Sequence, residues 1–204
     1  MRSILIANPK GGSGKTTLST NLAGALAHAG ETVCLWDIDR QHSALEWLKL
    51  RPEHLPRIIR LDERESAPRR ASWLVLDSPA GLHGRRLGEL VKEANRVLVP
   101  IMPSVFDIAA TRDFLAELAQ EKAIRKHKTF VGVIGNRVDP RTRAATQLIT
   151  YVREHDMPLV GWLRDTQLYA NAAFMGMSIF DLPNWQSERE TPFWKPIVDW
   201  VQEE

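Results

Sequence analysis

Asn8-Pro9-Lys10-Gly11-Gly12-Ser13-Gly14-Lys15-Thr16-Thr17 is the stretch on which the reading of this chain turns. An apolar run, Ile4-Leu5-Ile6-Ala7, precedes it. Leu18, Leu22, Ala25, Leu26 and Ala29 follow at helical spacing, and Gly30 stands where a left-handed helix end belongs. The stretch is therefore a glycine-rich turn from a strand into a helix. Glycines let successive backbone N–H groups converge, and the helix start adds the positive end of its dipole, so the turn can cradle phosphate oxygens. Gly11, Gly12, Ser13, Gly14, Lys15, Thr16 and Thr17 are the candidate binding residues, with Lys15 reaching the β- and γ-phosphates and the Thr16 hydroxyl on Mg²⁺. The plainer alternative is a strand-to-helix turn with no ligand.

Working outward, short apolar runs recur with helical patterns between them. Strands are expected at about 2–8, 32–36, 72–76, 96–100 and 129–135, with weaker candidates at 57–60 and 157–161. Ala110, Phe114 and Leu118 mark one further helix, and Ala145, Leu148, Ile149 and Val152 another. Near-continuous apolar strands alternating with helices imply an α/β fold, a mostly parallel twisted sheet with helices on both faces. The Arg- and Pro-rich segment 51–71 separates strands of one sheet, so residues 1–204 read as a single domain. Its 204 residues, 44% of them hydrophobic, suffice for a core without staples. A lone cysteine, Cys34, excludes an internal disulfide or a four-thiolate cluster within the chain. The first apolar run is too short for an export signal and no window suits a membrane span, so a cytoplasmic location is expected.

Two acids, Asp37 and Asp39, stand at i and i+2 where the second strand ends, and period-two geometry would put them on one face. Carboxylates at a strand tip can position water and compensate charge around a metal. A third strand, Ser72–Leu76, ends in Asp77, the Walker B pattern, which places that acid near Mg²⁺. Thr16, Asp37 and Asp77 are thus the candidate metal set. Asn136, closing the strand Phe130–Gly135, can offer both a donor and an acceptor to an adenine edge.

The run Lys10-Gly11-Gly12-Ser13-Gly14-Lys15-Thr16 resembles the deviant Walker A loop of the ParA/MinD family of P-loop ATPases, with Pro9 where the general pattern has glycine. Asp37-Ile38-Asp39-Arg40-Gln41 is similar to the family's D-x-D-P-Q segment, Arg40 replacing proline, and Asp77-Ser78-Pro79-Ala80 to its D-x-P-P segment. The resemblance implies Mg²⁺-dependent hydrolysis of ATP, with Lys10 crossing a dimer interface to the partner's nucleotide and Lys10, Lys15 and Asp39 catalytic. It further implies that Asp39 positions the attacking water, that Asp37 acts in the outer Mg²⁺ shell, and that Arg137 joins Asn136 at the nucleotide. The segment Gly176–Pro183 looks like the family segment that closes over the base, which would put Pro183 at the nucleotide.

Family members differ in the surface on which ATP dimers settle. The tail from Trp194 is apolar on one face but ends in acids, Glu203 and Glu204, which anionic lipid would repel; it reads as a packing helix rather than a MinD-like membrane anchor. Basic residues cluster at Lys122, Arg125, Lys126 and Lys128, then at Arg137, Arg141 and Arg143. Arg164 lies in a segment resembling one that carries DNA-contacting arginines, so Arg141, Arg143 and Arg164 are the candidate DNA contacts. A solvated helix face is the alternative meaning of such runs. No helix-turn-helix precedes the loop, which is similar to short ParA proteins. The expectation is an ATP-dependent homodimer, nucleoid-associated through nonspecific DNA, that positions a plasmid, chromosome or protein cargo through a ParB-like or other adaptor. The alternatives are a MinD-like positioning ATPase, a nucleotide-dependent ligase on the same scaffold, and a nonenzymatic nucleotide-bound scaffold. An iron-protein-type electron-transfer ATPase needs two thiolates per chain, and Cys34 alone cannot supply them.

Overall fold

The computed structural model describes residues 1–62, 66–155 and 157–203; three positions of the Arg- and Pro-rich segment, one before the last strand, and Glu204 of the acidic tail lie outside these. The chain runs through β1 (Arg2–Ile6), α1 (Lys15–His28), β2 (Val33–Asp37), α2 (Ser43–Leu50), β3 (Ile58–Arg60) and β4 (Trp73–Asp77). It continues through α3 (Gly84–Glu93), β5 (Arg96–Ile101), α4 (Val105–Gln120), the single turn α5 (Lys122–Arg125), β6 (Phe130–Val138), α6 (Arg143–Glu154) and β7 (Leu159–Arg164). It closes with α7 (Leu168–Phe174), a 3₁₀ turn Ile179–Asp181, α8 (Asn184–Ser187) and α9 (Thr191–Gln202).

Both weaker strand candidates form, as β3 and β7. The strands make one seven-stranded sheet in the order β3-β2-β4-β1-β5-β6-β7, every pair parallel. Alternate residues of each strand feed different cores, which is why the runs are apolar throughout. Ile4, Ile6, Val33, Leu35, Trp73 and Val75 meet α1, α2, α7 and α9 on one face. Leu5, Cys34, Leu74 and Leu76 meet Leu87, Leu90 and Val91 of α3 and Phe114 and Leu118 of α4 on the other. A third cluster packs α6, through Ala145, Leu148 and Val152, against β6. Each fully buried Leu or Ile contributes about 1.5–3 kcal/mol relative to exposure, so hydrophobic burial on both sides of the sheet dominates its stability.

α1 ends as expected. Gly30 has φ 85°, and the N–H groups of Gly30 and Glu31 donate to the carbonyls of Ala27 and Leu26, a Schellman closure. The tail helix α9 lies on β7, with Trp194, Ile197 and Val201 buried. Among the described residues no helix is long and apolar enough to cross a membrane. From β1 the chain builds one side of the sheet through β2, β3 and β4, then crosses past β1 to β5 and builds the other, so the loop after β1 lies at the switch point on the carboxyl edge, where parallel sheets take ligands.

Candidate nucleotide site

Between Ile6 and Lys15 the backbone is fixed largely by side chains. Asn8, buried, donates from Nδ2 to the Pro100 carbonyl (2.7 Å) and Thr111 Oγ1 (3.1 Å), while its Oδ1 accepts the Lys10 N–H (2.9 Å). The turn is thereby tied to the end of β5 and to α4. Gly12 and Gly14 hold φ of 75° and 92°, left-handed conformations that favour glycine. At Gly14 space forbids anything larger as well: a Cβ there would lie 2.0 Å from Asn136 Nδ2. That amide donates to the Ser13 carbonyl at 2.8 Å. Asn136, expected at an adenine edge, therefore has one of its two amide N–H donors engaged by the phosphate loop itself.

Lys15 opens α1 and is buried, with Nζ donating to the Lys10 carbonyl at 2.9 Å. Desolvation lowers its pKa, while the charges of Asp77 and Asp39 act in the opposite direction. Its ammonium is thus held inside the turn with acids nearby, poised for a stronger anion. Thr16 Oγ1 donates to Asp77 Oδ2 (2.7 Å) and Ser19 Oγ to Asp77 Oδ1 (2.9 Å). Burial pushes the Asp77 pKa up to about 7; hydrogen bonds from Thr16 and Ser19 restrain the rise, the neighbouring Asp37 charge adds to it, and Lys15 opposes it. Next to it, Ser78 Oγ is buried and has no hydrogen-bond partner among the described residues.

This donor set fits Mg²⁺: a hydroxyl and a carboxylate, both hard oxygens, face each other at the start of α1, and the carboxylate is one that a cation would hold ionised. Thr16 and Asp77 would hold it, and it would supply charge compensation on the β- and γ-phosphates. The loop after β4 meets the phosphate loop directly, the Gly81 N–H donating to the Pro9 carbonyl at 2.8 Å.

Asp37 and Asp39 do not share a strand face. β2 ends at Asp37, whose Oδ2 accepts the N–H groups of Ala44 (2.8 Å) and Leu45 (3.2 Å), and whose Oδ1 accepts that of Asp39 (3.0 Å). Asp37 thus caps α2 from across the turn while facing Asp77 in the β2–β4 register. Asp39 lies beyond the strand, half-buried, and accepts the Gln41 N–H at 3.0 Å. Backbone N–H groups that needed partners at the start of α2 bent the chain out of period two.

Lys10 stands on the rim, its Nζ 3.1 Å from Asp107 Oδ2 at the start of α4. Exposed Val105 and Phe106 flank that pair. Arg137, with φ 52°, pairs its guanidinium with Asp165 (2.8 Å). Pro183 is exposed, and the segment leading to it is held elsewhere. Asp181 receives Arg51 on both oxygens (2.8 and 2.9 Å) and contacts His28 Nε2 (2.7 Å), and the Ile179 N–H donates to Asn21 Oδ1 (2.9 Å). Those contacts fasten the segment along α1 from Asn21 to His28; His28 is thirteen residues, about 20 Å, along the helix from Lys15. Pro183 follows this fastened segment, and its place at the nucleotide is what the resemblance implies. Arg141 lies on Asp139 (2.8 Å) and Arg164 on Glu190 (3.1 Å), whereas Arg143 opens α6 without an ion-pair partner among the described residues. Sequence reasoning missed Asn8, Ser19, Asp107 and Thr111. Of these only Ser19, one turn on from Thr16, carried a local signal.

A phosphate cradle with an acid-backed hydroxyl, set on the carboxyl edge of a doubly wound parallel sheet, defines a P-loop nucleotide-binding domain. Residues 4–179 match the CobQ/CobB/MinD/ParA nucleotide binding domain, and the chain belongs to that family. It is 32% identical to maintenance of carboxysome distribution protein A of Gloeobacter kilaueensis over 189 residues, covering 87% of this chain and 83% of that protein. It is 27% identical to the chromosome-partitioning ATPase Soj of Thermus thermophilus, with 79% and 80% covered. A solved ATP complex of Cyanothece McdA superposes with a TM-score of 0.77 at 16% identity, covering 100% of this chain and 98% of that one, a likeness of fold.

Proposed function

We propose that this chain is an Mg²⁺-dependent ATPase of the ParA type that closes into a dimer on ATP, binds DNA without sequence preference, and distributes a cargo whose adaptor stimulates hydrolysis. Lys15, the loop N–H groups and Thr16 bind the phosphates; Thr16 and Asp77 hold the metal, with Asp37 behind them; Asp39 orients the attacking water. The observation that carries the dimer is Lys10: with one lysine inside the loop, this second one stands outside it, held by Asp107 on a rim made apolar by Val105 and Phe106. A surface ion pair of this kind contributes at most about 1 kcal/mol, so a facing subunit's phosphates can displace Asp107. A cation delivered across a two-fold interface stabilises the charge that develops in phosphoryl transfer.

The cargo is a large protein assembly, by likeness to the carboxysome-distribution relatives, with chromosome or plasmid as the second reading by likeness to Soj. Light scattering with ATP and with ADP tests the core of the proposal. Wild type should dimerise with ATP only, and Lys10→Ala should bind nucleotide while losing dimerisation and hydrolysis together. An ATP dimer of undiminished stability and normal hydrolysis in that variant would return Lys10 to an ordinary loop lysine.

A further inference from the structure

Of the arginines expected to meet DNA, Arg141 and Arg164 are engaged by the chain's own carboxylates at the carboxyl edge of the sheet, on Asp139 and Glu190, and the neighbouring Arg137 lies on Asp165. The opposite edge, where the strands begin, has a different balance. Lys92 at the end of α3, Lys122 on α5, and Lys126 and Lys128 before β6 line one depression of about 440 Å³, in which Glu121 is the acid among the described residues. Lys128 also borders a second depression of about 560 Å³ that holds Arg2 and Arg96, with Glu203 as its acid. Lys92, Lys122, Lys126, Lys128 and the nearby Arg125 are all exposed, and among the described residues none of them forms an ion pair.

Local structure explains the gathering. Ala123 and Ile124 pack on the core beside α3 and α4, which turns Lys122 and Arg125 outward. His127, at φ 53°, then folds the chain back, with its N–H on the Ile124 carbonyl and that of Lys128 on the Ala123 carbonyl, both at 2.9 Å. Lys122, Lys126 and Lys128 consequently share a rim. In the adjoining hollow the Arg96 guanidinium lies 4.6 Å from the Phe130 ring and 4.9 Å from that of Trp200, and donates to the Glu203 carbonyl at 2.8 Å. Arg2 lies 3.9 Å over Trp73 and donates to the Gln202 carbonyl at 2.8 Å. Their hydrogen-bond acceptors are neutral carbonyls, while the charge of Glu203 acts on Arg96.

We propose that this concave basic edge is the surface that holds the DNA backbone, an inference that rests on the DNA-binding reading above and gives it a location. Phosphate attraction needs positive surface without base readout. The rim is charged rather than apolar, whereas a helix that docks on a bilayer offers an apolar face, and that of α9 is buried against the sheet. The edge also lies a full strand, about 17–20 Å, from the phosphate loop, so DNA and a second subunit would not compete.

The full chain carrying Lys122→Glu, Lys126→Glu and Lys128→Glu tests this against Arg141→Ala with Arg143→Ala. The readout is fluorescence anisotropy of a random-sequence duplex across a salt series with Mg-ATP. ATP binding and melting temperature serve as folding controls, and Lys→Gln versions replace any reversal that fails to fold. Charge reversal should weaken DNA binding by about tenfold or more and flatten the slope of log K against log salt by about 3, with ATP binding unchanged. DNA binding unchanged by reversal but lost in the arginine variant overturns the location and leaves the DNA reading standing. Wild-type protein that ignores DNA at every salt but binds phosphatidylserine vesicles overturns both.

Discussion

Gly14 concentrates the constraints of the site in one residue. Its φ of 92° is costly for any side chain, and a methyl there would collide with the Asn136 amide that braces the Ser13 carbonyl. Gly14→Ala should therefore lower stability by about 1–3 kcal/mol and weaken nucleotide binding, read by thermal unfolding and by ATP titration. Unchanged values in both would mean that the turn is not braced as described. Asp39 makes a different prediction, since it forms no hydrogen bond to Thr16 or Asp77 and is proposed to orient water rather than to hold metal. Asp39→Ala should keep ATP and the dimer while hydrolysis falls, measured as phosphate release. Loss of ATP binding in that variant would assign Asp39 to the ground state instead.

At the scale of elements, the buried charge pair between α2 and the 3₁₀ turn is a clear point of leverage. The Asp181 side chain is fully buried and that of Arg51 nearly so. Burial alone would raise the Asp181 pKa, but hydrogen bonds from Arg51, from Ser178 side chain and backbone, and from His28 outweigh it and hold the value at about 2. A folded pKa below the unfolded value of 3.8 stabilises the fold at higher pH. That contribution, about 2 kcal/mol, is lost as pH falls from about 4 to about 2. Asp181→Asn should cost about 3–5 kcal/mol at neutral pH by stranding Arg51, and should flatten the acid limb of a denaturation series. An acid limb that keeps its slope would place the titration elsewhere. Such pairings mark the limit of what the sequence discloses. Strands were legible because both faces of the sheet are buried and the runs stay apolar, and α1 because its apolar spacing and Gly30 agree. Lys10 with Asp107, Asn136 with Ser13, and Asp181 with Arg51 join residues about a hundred or more positions apart, and no local pattern announces them. Asp37 was legible as a site acid but not as the cap of α2, because that role depends on which backbone N–H groups the turn leaves over.

For the whole molecule, the proposed function would divide the work between the two edges of the sheet: nucleotide and second subunit at the carboxyl edge, DNA at the other. Phe106, 80% exposed beside Lys10, belongs to the first. Phe106→Asp should weaken the ATP dimer by about tenfold or more, seen by sedimentation, because it sets an uncompensated charge in a closing apolar rim, while monomeric ATP affinity stays as in wild type. All of this depends on the phosphate loop holding Mg-ATP. Isothermal titration of ATP into the wild-type chain and into Lys15→Ala, with Mg²⁺ present, tests that most directly. Saturable one-to-one binding in wild type, weakened about ten- to hundredfold or more in the variant, is the predicted result. Equal affinity in the two proteins, or no binding to wild type, would contradict it.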